Sequence, residues 1–163
     1  MPAKTEQLQI RVAPRQKAAL KHAAKQAGQS VSEYVLARVL PSARDRLEDL
    51  VGALDDEDRR RYALAEINVL LAGLEPIELA EAVAARPAGD LPPYMQNYLA
   101  AMIEQAAVQK GIAPPAWLGE IEPLDEPHFA TPLPGLRLHL LRASPVPYRR
   151  RNIFVDSGVG SRV

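Results

Sequence analysis

The run Gln7-Leu8-Gln9-Ile10-Arg11-Val12 alternates polar and apolar residues with a strict period of two, and no second run of that kind stands near it. Such alternation places Leu8, Ile10 and Val12 on one face and Gln7, Gln9 and Arg11 on the other, which predicts a half-buried β-strand. A lone strand leaves its backbone N–H and C=O groups open, and even an isolated hairpin is marginal in water. A mate must therefore come from outside the segment.

The residues after the strand narrow the choice. Pro14 opens a helix at a position where its missing N–H costs nothing. Leu20, Ala23, Ala24 and Ala27 then recur at helical spacing opposite Lys17, Lys21 and Lys25, and Gly28 supplies a left-handed stop. Ser30-Val31-Ser32-Glu33 reads as a capping box for a second helix, whose stripe of Val31, Tyr34, Val35 and Val39 ends before Pro41. One strand and two short helices cannot bury their own apolar faces. Two copies related by a twofold axis can, with the strands paired antiparallel over four helices.

These residues resemble the ribbon-helix-helix family. Lys4-Thr5-Glu6-Gln7-Leu8-Gln9-Ile10-Arg11-Val12, the helix opening Pro14-Arg15-Gln16-Lys17, and Gly28-Gln29-Ser30-Val31-Ser32-Glu33-Tyr34 together look like the antitoxins of that fold that neutralise acetyltransferase toxins. The resemblance implies a dimer whose ribbon enters the DNA major groove. The side chains suit that role. Glutamine can pair bidentately with adenine and arginine with guanine, each worth about 1–3 kcal/mol of discrimination. Serines at a helix start, beside free amides, suit phosphate. Lys4, Gln7, Gln9, Arg11, Ser30 and Ser32 form the expected DNA-binding set.

The net charge of zero conceals three blocks. Residues 1–46 carry nine Lys/Arg against three Asp/Glu, residues 47–135 carry sixteen Asp/Glu against five Lys/Arg, and residues 136–163 carry six Arg against one Asp. A basic head suits a polyanion, and a basic tail suits a different, acidic partner. Zero cysteines exclude disulfides and thiolate metal sites. No apolar run is long enough to span a bilayer and no leader pattern opens the chain, so a cytoplasmic protein without membrane contact is expected.

From residue 47 the pattern predicts helices in series. Leu47, Leu50, Val51 and Leu54 keep helical spacing; Asp55 or Asp56 caps a helix running to Gly73; Pro76 and Pro93 open two more, the last ending at Gly111. The three histidines, at 22, 128 and 139, are scattered, and no phosphate loop, nucleophile elbow or zinc motif occurs. No enzymatic activity, metal or cofactor is expected. Eight of the fifteen prolines fall between Pro114 and Pro147. Each interrupts regular hydrogen bonding, which predicts an extended tail whose large side chains dock elsewhere.

The stretch Leu91-Pro92-Pro93-Tyr94-Met95-Gln96-Asn97-Tyr98, then Pro114-Pro115-Ala116-Trp117, then the closing residues 132–163, is similar to small bacterial proteins encoded beside nucleotidyltransferase-like toxins. That similarity implies a toxin-binding C-terminal half. It ranks a nucleotidyltransferase-like toxin above the acetyltransferase that the head's resemblance implies. Trp117, Phe129, Tyr148 and Phe154 are then the expected apolar anchors, and Arg149, Arg150 and Arg151 the expected partners of toxin carboxylates.

The expected fold is mainly α with one N-terminal strand: a ribbon-helix-helix dimer head over 1–46, a small helical region over 47–112, and an extended Pro-rich, Arg-rich tail over 113–163. The expected function is that of a type II antitoxin, a homodimer that represses its own operator and neutralises a cognate toxin. The alternative is a stand-alone repressor whose C-terminal region senses a ligand. A third reading, a nucleic-acid binder using both basic ends, predicts that the tail alone retards DNA.

Overall fold

The computed structural model describes residues 9–156. The chain divides into two compact units, Met1–Pro41 and Ser42–Val163. No helix among the described residues is long and apolar enough to cross a membrane.

The N-terminal unit contains α1 (Pro14–Gln26) and α2 (Val31–Val39), which pack on each other. Pro14 stands in the first turn of α1. The helix ends in paired closing bonds: Gly28, at φ 68, donates its N–H to Lys25 O, and Gln29 donates to Ala24 O. That geometry needs a left-handed residue after the helix, which only glycine adopts without strain. Ahead of α1, Gln9 to Val12 lie in no regular element, and Ala13 is extended at φ −65, ψ 153. A strand across this run is thus not formed by the single chain.

The C-terminal unit is built on α3 (Ala43–Gly52), α4 (Glu57–Gly73), α5 (Pro76–Ala82) and α6 (Pro93–Gln109), with α7 (Pro134–Ala143) and α8 (Val146–Arg149) following. Each start has a local cause. Ser42 accepts from the Asp45 N–H, Asp56 accepts from the Asp58 N–H, and Pro76, Pro93 and Pro134 occupy first turns. Leu47, Val51, Leu54, Ile67, Leu71, Leu79 and Ile103 form one buried cluster that α6 completes. Arg44 and Glu48, paired at 2.6 Å on α3, lock the loop after α5: Arg44 donates to Ala85 O at 2.6 Å and Glu48 accepts the Ala88 N–H at 2.7 Å.

Residues 112–156 correct the expectation of an extended tail. They fold into the same unit as the helices, as a 3-10 turn at Ala116–Glu120, α7, α8 and a short parallel pair, β1 (His128–Phe129) with β2 (Ile153–Phe154). Prolines that cannot sit inside helices can open them, and Pro115, Pro134 and Pro145 each stand at or beside such a start. The large side chains then have a surface to close on, which is α6. Tyr148 and Ile153 are fully buried in the cluster that α6 lines. Asn152, at φ 58, turns the chain from α8 into β2, and its side-chain amide donates to Leu124 O at 2.6 Å. Asparagine is among the few residues with a side chain that tolerate that backbone.

Candidate nucleic-acid interface

The N-terminal unit concentrates the chemistry that a phosphate backbone would meet. Lys17, Lys21 and Lys25 repeat every fourth residue along α1 and are exposed, so they form one basic stripe. Arg38 on α2 lies 5.3 Å from the ring centre of Tyr34, which holds its guanidinium near the helix. Of the expected base-reading residues, Gln9 and Arg11 are exposed, while Lys4 and Gln7 lie outside the described residues.

At the start of α2 the capping box forms as the sequence implies. Ser30 Oγ accepts from the Glu33 N–H at 3.2 Å, and Glu33 Oε2 accepts from the Ser30 N–H at 2.8 Å. The Ser30 N–H, helped by the Ser30 hydroxyl, holds the Glu33 carboxyl below its ordinary value. Val31 and Ser32 stand in the first turn, where a helix offers their N–H groups no partner four residues back. Those two amides and the Ser32 hydroxyl are what the turn can offer an anion. The Glu33 carboxylate beside them offsets part of that attraction.

The described residues of this unit build no core of their own. Ala24 is its one buried apolar residue among those described, whereas Ile10 is 62% exposed and Val39 71%, with Val12, Val31, Leu36 and Leu40 also in water. A family model with the description NikA-like, mobilization protein NikA, matches residues 2–71. Over that stretch the chain is similar to a mobilization protein. The match takes in the N-terminal unit and continues through α3 and most of α4. No curated protein and no solved structure matches the chain.

The expected toxin-binding residues are placed differently from one another, and most turn inward. Trp117 is buried, with its indole N–H donating to Val83 O at 2.9 Å. Tyr148 and Phe154 are buried as well. Phe129 is half-buried, stacked on Phe154 with ring centres 4.9 Å apart and covered by the Arg137 guanidinium at 5.2 Å. Arg151 is buried: it donates to Leu118 O at 3.1 Å and Asn97 Oδ1 at 3.4 Å, lies 3.6 Å from Glu104, and has its Nε unpaired. Trp117 and Tyr148 belong to the core cluster and Arg151 finds Asn97 and Glu104 of α6 within the chain, so these three are not a free docking surface. Only Arg149 and Arg150 of the arginine run stay exposed, Arg150 3.3 Å from Glu104.

Asn97 and Glu104, which receive Arg151, escaped the sequence reading. Asn97 gave one faint signal: it shares a side of α6 with Ala100, Ala101 and Glu104, three, four and seven residues on, so a polar pair stands beside small apolar residues there.

Proposed function

We propose that the chain is a dimeric DNA-binding protein of the ribbon-helix-helix kind. The observation that carries this reading is the uncovered apolar face of the N-terminal unit, preceded by a run with strand alternation. Leaving Ile10, Leu36, Val39 and Leu40 in water is unfavourable by about 25 cal/mol per Å². A second copy removes that cost and pairs the open backbone of the strand in the same step. The ribbon so formed carries Gln9 and Arg11 on its outer face. The similarity of residues 2–71 to a mobilization protein supports a role on DNA, and the DNA of a mobilizable element is the first target to try. The test is a binding titration of Arg11→Ala against its parent on the preferred duplex. The variant should stay dimeric and bind about 5- to 150-fold more weakly, the equivalent of one bidentate base contact. A binding constant independent of salt would remove the reading, because phosphate neutralisation must release counterions.

A second reading adds a protein partner. In it the chain is an antitoxin, autorepressing through the N-terminal unit and neutralising a nucleotidyltransferase-like toxin through the C-terminal one. Its favouring observation is the pair Arg149 and Arg150, which stay in solvent while their neighbour Arg151 is drawn inward. The variant Arg149→Glu with Arg150→Glu should abolish rescue from a toxic adjacent reading frame and spare DNA binding. Removing residues 136–163 is a poorer test, since it would strip Tyr148 and Ile153 from the core.

A further inference from the structure

Two faces of the C-terminal unit hold large apolar side chains in water, and their charges are opposite. On α7, Leu138, Leu141 and Arg142 share one side at i, i+3 and i+4. Leu138 is 69% exposed, and Leu136 and Leu141 are exposed with it. Arg137 lies beside them, and no Asp or Glu occurs between residues 127 and 155. Arg142 takes part in no ion pair among the described residues. On α4, Tyr62, Glu66 and Val69 share one side at i, i+4 and i+7, with Val69 71% exposed. The next helix, α5, leaves Ile77 75% exposed, followed by Glu78 and Glu81, and no Lys or Arg occurs from residue 62 to 85.

Within one chain the two faces do not cover each other, since α4 packs chiefly on α3, the turn Ala53–Asp55 and α6, α5 on α3 and α6, and α7 on β2. We propose that the α7 face of one copy docks on the α4 and α5 face of a second copy. Apolar area on both sides supplies the attraction, and charge selects the pairing. An α7 face set against its own equivalent would oppose arginine to arginine, and the acidic faces would oppose glutamate to glutamate, whereas the mixed pairing sets Arg142 and Arg137 near Glu66 and Glu81. Such a contact either closes reciprocally between two copies or continues from copy to copy. It uses no residue of the N-terminal unit, so it stands apart from the pairing proposed there and would join pairs of chains into larger assemblies.

The full-length chain is tested by sedimentation velocity. Species larger than a dimer are expected, shrinking at high salt because the selecting charges are exposed. Leu138→Asp with Leu141→Asp removes one face, and Val69→Lys with Ile77→Lys removes the other. All four side chains are exposed, so both variants should melt as the parent does and associate at least tenfold more weakly. Mixing the two variants restores one intact pair of faces, and the mixed species should reappear. Either variant assembling like the parent, or the mixture failing to associate, overturns the proposal. A variant that unfolds is replaced by the milder Arg142→Glu, whose weakened assembly Glu66→Arg in the other copy should recover; no recovery also overturns it. Loss of the N-terminal pairing reads differently: a variant outside both faces, such as Ile10→Asp, should leave species still joined through the α7 contact, whereas the face variants should leave pairs held by the N-terminal unit alone.

Discussion

The two units solve the same problem with unequal means. The C-terminal unit draws apolar side chains from five helices into one cluster, and even its proline-rich end contributes Trp117, Tyr148 and Ile153. The N-terminal unit has two short helices and buries Ala24 alone among its described apolar residues. Below about 40 residues a chain rarely folds without a metal, a disulfide or a partner, and this sequence has no cysteine. The difference teaches where association must enter. One unit has a core in a single chain; the other has half of one.

The largest effect should come from charging the half-core. Ile10→Asp places a carboxylate where the second copy would bury an apolar side chain, and burying an unpaired charge is costly enough to prevent the contact. Light scattering should show the N-terminal pairing lost, with DNA affinity lower by about a hundredfold or more, because paired half-sites then act singly. The C-terminal unit should melt unchanged. If Ile10→Asp destabilises both units equally, the contrast drawn between them is wrong.

The reverse experiment strikes the complete core. Ile67 is fully buried between α3, α4 and α6, and Ile67→Ala should lower the stability of the C-terminal unit by about 2–5 kcal/mol, read by denaturant melting. DNA binding below the new melting point should persist. This is a loss that single-chain packing predicts, and it should not vary with protein concentration.

How far the sequence led differs between the units for the same reason. Local signals were legible in both: the Ser30 capping box, the Gly28 stop, the Asp56 cap and the prolines opening α5 and α6 all stand where their chemistry puts them. These depend on residues three or four apart. The fate of the proline-rich end depended on a distant surface. Tyr148 and Phe154 read as anchors for another protein because nothing local showed that Tyr98 of α6 would receive the one and Phe129 the other. The arginine run was harder still. Arg149, Arg150 and Arg151 are alike in composition, yet the turn through Asn152 sends the third inward to Asn97 and Glu104. In the N-terminal unit the alternation of residues 7–12 was plain, but a strand needs a mate, and the described residues of one chain supply none to residues 9–12.

Alkali should sharpen the comparison more gently. Burial raises the phenol of Tyr94 from 10 to about 12 and also pushes up Tyr98 and Tyr148. A group protonated more tightly in the folded chain adds stability below its unfolded value, and that stability declines as pH rises through the folded one. The C-terminal unit should therefore hold its stability up to about pH 10 and lose it progressively towards pH 12. Tyrosinate absorbance followed with far-ultraviolet dichroism checks this. Ionisation of all three phenols well below the loss of helix would place them in solvent and contradict the packing of Tyr98 against Tyr148, whose ring centres are 5.5 Å apart.

The smallest expected effect lies at the start of α2, where it bears on both stability and DNA. Ser30→Ala removes the acceptor for the Glu33 N–H, and losing a cap of this kind costs about 1 kcal/mol. Because the N-terminal unit has little core, that loss should appear as a shift in the concentration needed for pairing, with the melting of the C-terminal unit unmoved. Glu33 supplies a second handle. Its carboxyl is held below the ordinary value of 4.5, so its contribution is present above that pH and is lost as the pH falls through the lower folded value. Glu33→Gln keeps a hydrogen-bonding side chain but removes the charge and with it the acid-dependent part of the pairing. The same change takes a carboxylate away from the Val31 and Ser32 amides, so DNA affinity should rise slightly while pairing weakens slightly. Opposite signs from one substitution separate a phosphate-facing helix start from one that only caps.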